Sequence, residues 1–231
     1  MAETMEDRLK GVTDQISTAA VRSGRDPSSV RLVTVSKTIP AEHVLAAIQA
    51  GVTDLGENYV QEAQQKIDAL RDQNVSWHFI GHLQTNKAKY AVNLFDLIHS
   101  VDSVKLAREL NKRSANLGKV QKVLVQVNIS GERTKSGVET DMAIDLVGQM
   151  AHFENLTVRG LMTMPPYFNA PEKVRPYFKA LRRLQAQIRK ERFPNVHMAE
   201  LSMGMTGDFE AAIEEGATLV RIGTAIFGKR A

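Results

Sequence analysis

Lys37 stands in the stretch Arg31-Leu-Val-Thr-Val-Ser-Lys37-Thr-Ile-Pro40. Leu32, Val33 and Val35 read as a buried strand, and Ala41, Val44, Leu45 and Ile48 as the apolar face of a following helix that Gly51 closes. The lysine is therefore at the carboxyl end of a strand, just before a helix. That is the end at which parallel α/β proteins bind ligands. A lysine there can attack an aldehyde as a Schiff-base nucleophile if its surroundings favour the neutral amine. A solvated lysine in an ordinary strand-to-helix loop has the same local sequence.

The last two strand ends offer a different chemistry. Ser202-Met-Gly-Met-Thr206-Gly-Asp208 and Gly223-Thr224 combine small residues, hydroxyls and backbone N–H groups. In a barrel, the loops after the seventh and eighth strands commonly hold a phosphate. The same glycines could serve only to make tight turns. Arg221 lies on the last strand, where alternation puts it on one face with Leu219 and Gly223, opposite Val220 and Ile222. A guanidinium pointing into a barrel mouth needs an acceptor, from a ligand or from a structural ion pair. Asn58, His82 and Met162 also fall at strand ends and could line the same mouth, whereas His78 reads as a core residue. No His, Asp and Glu set has metal-ligand spacing. Ser36 and Ser202 lack the glycine pattern of a hydrolase elbow. Met162, Met164, Met203 and Met205 read as core and pocket lining.

These ends need a frame. Met5 to Val21 is helix-like, broken by Ser23-Gly-Arg-Asp-Pro27. After the Lys37 strand, further strands are expected at Val52–Leu55, Val75–Ile80, Leu94–His99, Lys119–Ile129, Val158–Met162, Val196–Leu201 and Thr218–Ile222. Helices separate them, among them a long basic one from Pro171 to Arg192 and one starting at Asp208, while Ser130 to Val138, with Lys135, reads as a loop. Eight strand–helix units in one chain fit a single α/β domain, a closed (β/α)8 TIM barrel, over residues 1–231, with residues 1–24 as a helix packed on it. An open doubly wound sheet is the other arrangement of alternating units, but the dinucleotide fingerprint is absent after the first strand. Ala46-Ala-Ile-Gln-Ala-Gly51-Val-Thr and Ala211-Ala-Ile-Glu-Glu-Gly216-Ala-Thr share one helix-to-strand pattern.

Composition narrows the partners. Of 231 residues 43% are hydrophobic and 24% charged, which suits a globular protein with a sizeable core. There is no cysteine, so disulfides, thiolate metal sites and a cysteine nucleophile are excluded. The net charge is only +4 and the basic residues are spread, with Lys179 to Arg192 reading as a solvated helix face, so no nucleic acid is expected. MAETMEDRLK is charged and lacks the apolar stretch of a signal peptide, and no run is apolar enough to span a membrane. A cytoplasmic location is expected.

Six motifs, in order, then carry a resemblance. They are Thr34-Val-Ser-Lys-Thr-Ile-Pro40, Gly56-Glu-Asn-Tyr-Val-Gln-Glu62, His78-Phe-Ile-Gly-His-Leu-Gln-Thr-Asn-Lys87, Gly160-Leu-Met-Thr-Met164, Leu201-Ser-Met-Gly-Met-Thr206 and Val220-Arg-Ile-Gly-Thr-Ala-Ile-Phe-Gly228. From Val30 onward the chain resembles the YggS/PROSC family of pyridoxal-phosphate homeostasis proteins. The resemblance implies a barrel of the alanine racemase N-terminal domain type (fold type III among pyridoxal phosphate proteins), without that enzyme's C-terminal β domain. It implies that Lys37 forms the internal aldimine with pyridoxal 5′-phosphate (PLP). Ser202, Gly223 and Thr224 match the phosphate cradle, and Arg221 matches the arginine facing the pyridine nitrogen. Asn58, Met162 and the Ile80 to His82 segment would lie near the cofactor. A monomer is the expectation from the family.

A cation beside the pyridine nitrogen disfavours ring protonation and weakens the electron sink, which argues against transamination. It does not exclude racemisation, since alanine racemase uses a similar arginine. The chain ends three residues beyond Gly228, so no segment is expected to supply the opposite-face tyrosine of the racemase. An open site of this kind suits storage of PLP or its delivery to PLP-requiring apo-enzymes. The alternatives are a PLP-dependent racemase or lyase, and a barrel that binds a phosphorylated metabolite without a covalent link. Lys135 is a candidate secondary cofactor contact or transfer point.

Overall fold

Among the described residues, apolar runs build the eight parallel strands of a barrel: β1 Arg31–Val35, β2 Asp54–Glu57, β3 Ser76–Phe79, β4 Leu97–Val101, β5 Gln121–Asn128, β6 Leu156–Met162, β7 Val196–Ser202 and β8 Leu219–Ile222. Each pairs with the next, and β8 pairs back onto β1 with Val33 opposite Arg221, so the sheet closes into a barrel. The computed structural model describes residues 4–228 apart from Arg133, Tyr167 and Asn169. The first and last three residues of the single-domain expectation lie outside them.

Helices alternate with the strands: α1 Met5–Arg22, α2 Ala41–Gln49, α3 Val60–Ala69, α4 Ala88–Leu94, α5 Val104–Asn116, α6 Ala143–Met150, α7 Arg175–Glu191, α8 Phe209–Glu214 and α9 Thr224–Phe227. Outward strand residues such as Leu55, Phe79, Ile98, Val123, Leu161, Val220 and Ile222 join one large core beneath these helices. Val33, Leu97, Leu124, Met162 and Leu219 form a separate apolar cluster inside the barrel. The alternation expected on β8 is therefore the one observed. The initial helix α1 packs on α8 and α9. It is fastened there by Arg8 Nε donating to the Ile226 carbonyl at 2.6 Å, and by Arg25, just beyond it, donating to the carbonyls of Ile213 and Ala217.

The repeated helix-to-strand pattern has one geometry in both copies. Gly51 and Gly216 have φ of +112° and +100°, a backbone that a Cβ would strain. The N–H of the next residue, Val52 or Ala217, donates five residues back to Ala47 or Ala212, the bond of a Schellman cap.

Most strand ends shift by one or two residues, and three differences go further. The fourth strand starts at Leu97 rather than Leu94, because Leu94 is the last residue of α4. The basic helix is divided: Pro171–Lys173 is a separate 3-10 turn and α7 begins at Arg175, because Pro176 has no N–H to continue a helix from before it. The Ser130 to Val138 segment is not all loop. Val138–Glu139 forms a two-residue strand parallel to the end of β5, with Val138 opposite Val127.

Candidate functional site

Lys37 follows β1 and is half-buried, and the backbone on each side of it is held by a buried ionic cluster. Ser36 donates its hydroxyl to Glu57 Oε1 at 2.7 Å. Lys66 on α3 reaches in from below, with Nζ 2.6 Å from the Ser36 carbonyl, 2.7 Å from Glu57 Oε1 and 2.6 Å from Glu62 Oε1. The N–H of Thr38 donates to Glu62 at 2.5 Å. Lys66 is 5% exposed and Glu57 fully buried. Burial pushes the Glu57 carboxyl above its ordinary range, and the opposing hydrogen bonds from Lys66 and Ser36 do not cancel it. Thr38 has φ of +63°, which costs a β-branched residue about 1–2 kcal/mol. Strain of this kind persists only where the surroundings over-determine the backbone, and here the Glu62 carboxylate grips the N–H of the strained residue.

Arg221 projects from β8 into the barrel and is 4% exposed. Its Nη1 donates to Ser202 Oγ at 2.6 Å and its Nη2 to the Thr163 carbonyl at 2.9 Å. Thr163 is itself anchored, its N–H on the Ser202 carbonyl and its hydroxyl on the Val127 carbonyl. Burial lowers the Arg221 pKa to about 10, opposed by the charge of Asp208, so the guanidinium stays cationic at neutral pH. Beneath Ser202 a polar column continues. His99 Nδ1 lies 2.9 Å from Ser202 Oγ, His99 Nε2 lies 3.1 Å from His78 Nδ1, and His78 Nε2 lies 3.3 Å from Asp54 Oδ1.

A cleft of about 240 Å³ opens beside this column at the carboxyl end of the strands, lined by Asn58, Ile80, His82, Gln126, Lys135 and Met164 among others. Gly81 belongs to its wall because a Cβ there would lie 2.3 Å from the Asn58 carbonyl oxygen. Two buried polar atoms in this cleft, Asn58 Oδ1 and Lys135 Nζ, have no hydrogen-bond partner among the described residues. Lys135 does form an ion pair with Glu132 at 3.5 Å.

The fold thus brings Lys37, Asn58, His82, Met162, Ser202, Arg221, Gly223 and Thr224 to the carboxyl end of one barrel. Ser202 and Arg221 are in direct contact. Met162 is paired with Ser202 across β6 and β7. Asn58 and His82 share a cleft, and Thr224 is exposed next to buried Gly223. Ser202, expected to face a phosphate, turns its hydroxyl inward to Arg221 and His99. The residues that the sequence reading passed over are Glu57, Glu62, Lys66, His99 and Asp54. Of these, only Asp54 and His99 carried a signal, a polar residue at an inward position of an otherwise apolar strand; Glu62 and Lys66 lie on α3. Chemically, the arrangement offers an amine on a rigid backbone and a fixed buried cation. Among the described residues no group of His, Asp or Glu is placed to hold a metal ion, and no helix is long and apolar enough to cross a membrane.

The profile of the family described as "Alanine racemase, N-terminal domain" matches residues 14–231. A protein of Aquifex aeolicus named pyridoxal phosphate homeostasis protein is 47% identical over 224 residues, 97% of each chain. Among solved structures, PipY of Synechococcus elongatus with PLP bound is 35% identical with a TM-score of 0.83, covering 97% of this chain and 100% of that one. Alanine racemase from Corynebacterium glutamicum, at 18% identity and a TM-score of 0.72, shares the fold over 96% of this chain and 62% of its own. A near-complete match to both a curated relative and a solved one, on a closed barrel with the lysine and arginine at its carboxyl end, places the chain in the pyridoxal phosphate homeostasis protein family.

Proposed function

We propose that this protein binds PLP at the carboxyl end of its barrel, covalently through Lys37, and stores or delivers it instead of turning over a substrate. The observation that carries the reading is the pairing of Lys37, on its clamped backbone, with a buried cationic Arg221 one strand away, in a chain similar over its whole length to a protein solved with PLP bound. The residues fit the group. The unpartnered amide oxygen of Asn58 is already desolvated, so accepting a hydrogen bond there recovers a cost the fold already bears. Gly223 and Thr224 would hold the phosphate, Arg221 would face the ring nitrogen, and His82 and Met162 would flank the ring.

PLP, when bound, supplies an aldehyde for the lysine amine and a ring that can act as an electron sink. Arg221 works against that sink, since a cation beside the ring nitrogen disfavours its protonation. Storage needs no electron sink, whereas transamination does. The naming of the near-full-length relatives supports the same choice. PLP-requiring apo-enzymes are the acceptors that a delivery role calls for. A racemase or lyase using the same lysine is the competing reading.

The test is the absorbance spectrum of wild type and Lys37→Ala with added PLP, before and after borohydride. A band of bound PLP that is absent in the mutant, and is fixed to Lys37 by reduction, is the expected result. No such band in wild type would defeat the reading. Interconversion of alanine enantiomers at ordinary enzymatic rates would replace storage by catalysis.

A further inference from the structure

The polar column under Arg221 has a direction. Arg221 can only donate. Asp54, at the other end, accepts: burial pushes its carboxyl up, but hydrogen bonds from His78 and Thr53, with Arg31 nearby, hold it below the usual range. Between these ends stand Ser202, His99 and His78, which can each donate at one atom and accept at another. His99 is fully buried, and burial, with His78, Arg221 and Arg31 nearby, lowers its pKa well below the ordinary value. It is therefore neutral, with one N–H and one acceptor nitrogen.

Two arrangements place a donor against an acceptor at every contact of the column. In one, Ser202 donates to His99 Nδ1, His99 Nε2–H to His78 Nδ1, and His78 Nε2–H to Asp54. In the other, His78 carries an extra proton, its Nδ1–H donates to His99 Nε2, and His99 Nδ1–H donates to Ser202. The second gives Ser202 Oγ two donors, Arg221 and His99, and leaves its own buried hydrogen without one of these partners. It also places an imidazolium 1% exposed, facing His99 and with Arg31 on the same carboxylate. The first leaves no mismatch from end to end.

We infer that His99 and His78 are positioning residues for the cofactor site, forming a one-way hydrogen-bond relay from Arg221 through Ser202 to Asp54. The relay draws the Ser202 hydrogen away from Arg221. Ser202 Oγ is then free to accept from Arg221 Nη1, and with the Thr163 carbonyl it holds the guanidinium in one orientation beneath the barrel mouth. The positioning role rests on the PLP reading above; the polarity of the relay does not. Ser76 Oγ, 3.3 Å from both His78 Nε2 and Asp96 Oδ2, is a second polar neighbour at the Asp54 end. Glu200 reaches that end through its 3.0 Å pair with Arg31.

The polarity is read from ring ¹⁵N resonances in cofactor-free, histidine-labelled wild type at neutral pH. An acceptor-type Nδ1 and a protonated Nε2 on both histidines is the expected result. A protonated Nδ1 on His99 would overturn it. The positioning role is read by titrating PLP into His99→Leu and His99→Asn, the latter keeping an acceptor near the Nδ1 position. His99→Leu should weaken binding about tenfold and shift the absorbance maximum of bound PLP, and His99→Asn should restore both. Wild-type binding by His99→Leu would end the positioning role whatever the tautomers. Should His99→Leu fail to fold, the tautomers of wild type and the binding of His99→Asn still decide. Failure of wild type itself to bind PLP would sink the functional reading instead, while the tautomers would still settle the polarity.

Discussion

Replacing Lys66 by Met should destabilise the protein severely. Its ammonium touches three acceptors within 2.7 Å: the Ser36 carbonyl, Glu57 and Glu62. Met removes the charge and leaves Glu57, which is fully buried and already has one oxygen without a partner. Breaking a buried pair from one side costs about 3–5 kcal/mol. For a chain of this size that corresponds to a fall in Tm on the order of 10 °C. The sign of the pH dependence follows from Glu57. Its folded pKa is raised, so its protonated form favours the folded state. Stability from that source is fully present below the unfolded carboxylate pKa and lost as pH rises through the raised folded value. Without Lys66 the folded pKa rises further, so the penalty of Lys66→Met should be largest at neutral pH and shrink toward acid. Urea unfolding of Lys66→Met, Glu57→Gln and the double mutant checks the reasoning, because Gln removes the orphaned charge while keeping its shape. The double mutant should recover about 2 kcal/mol or more relative to Lys66→Met. A penalty below about 1 kcal/mol at neutral pH, or a double mutant no better than Lys66→Met, would refute the account.

Gly81→Ala should cost about 2–3 kcal/mol, since its Cβ meets Asn58 backbone atoms that cannot rotate away; a urea midpoint equal to that of wild type would contradict it. Lys135→Ala should leave PLP loading on Lys37 intact but slow handover to an apo-enzyme by about tenfold, because Lys135 Nζ lies in the Asn58 cleft without a hydrogen-bond partner. Unchanged handover would end its candidacy.

The barrel was legible because each strand is an apolar run bounded by turn residues, a pattern that survives small boundary errors. The end of the barrel holding the candidate site was legible for the same reason: Lys37, Asn58, His82 and Gly223 all lie within three residues of the end of such a run. The supporting clusters were not. Glu57 sits in a Gly-Glu-Asn-Tyr stretch that reads as a turn. Its partner Lys66 can be found only by knowing which face of α3 lies against β2. His99 meets Ser202 across 103 residues of chain, a contact that only the closure of the barrel creates. Val138–Glu139 is too short to carry any periodicity.

The interior of this barrel is divided in a way that bears on function. Val33, Leu97, Leu124, Met162 and Leu219 fill part of it with apolar contacts, as stability alone would favour. The rest is given to Asp54, His78, His99, Ser202 and Arg221, with the Glu57–Lys66 pair beside it. Buried polar networks of this kind are rarely worth more than well-packed hydrophobic residues of equal volume. Their retention needs another cause, and the two networks share one. Each ends on a basic residue or its backbone at the carboxyl mouth: one fixes Arg221, the other clamps the residues on both sides of Lys37. A barrel that only had to fold would gain from apolar residues at Glu57, Lys66, His78 and His99. A barrel that must present a lysine and an arginine in fixed relation to one small ligand cannot make that exchange, because apolar packing cannot aim a guanidinium or hold Thr38 in its left-handed conformation.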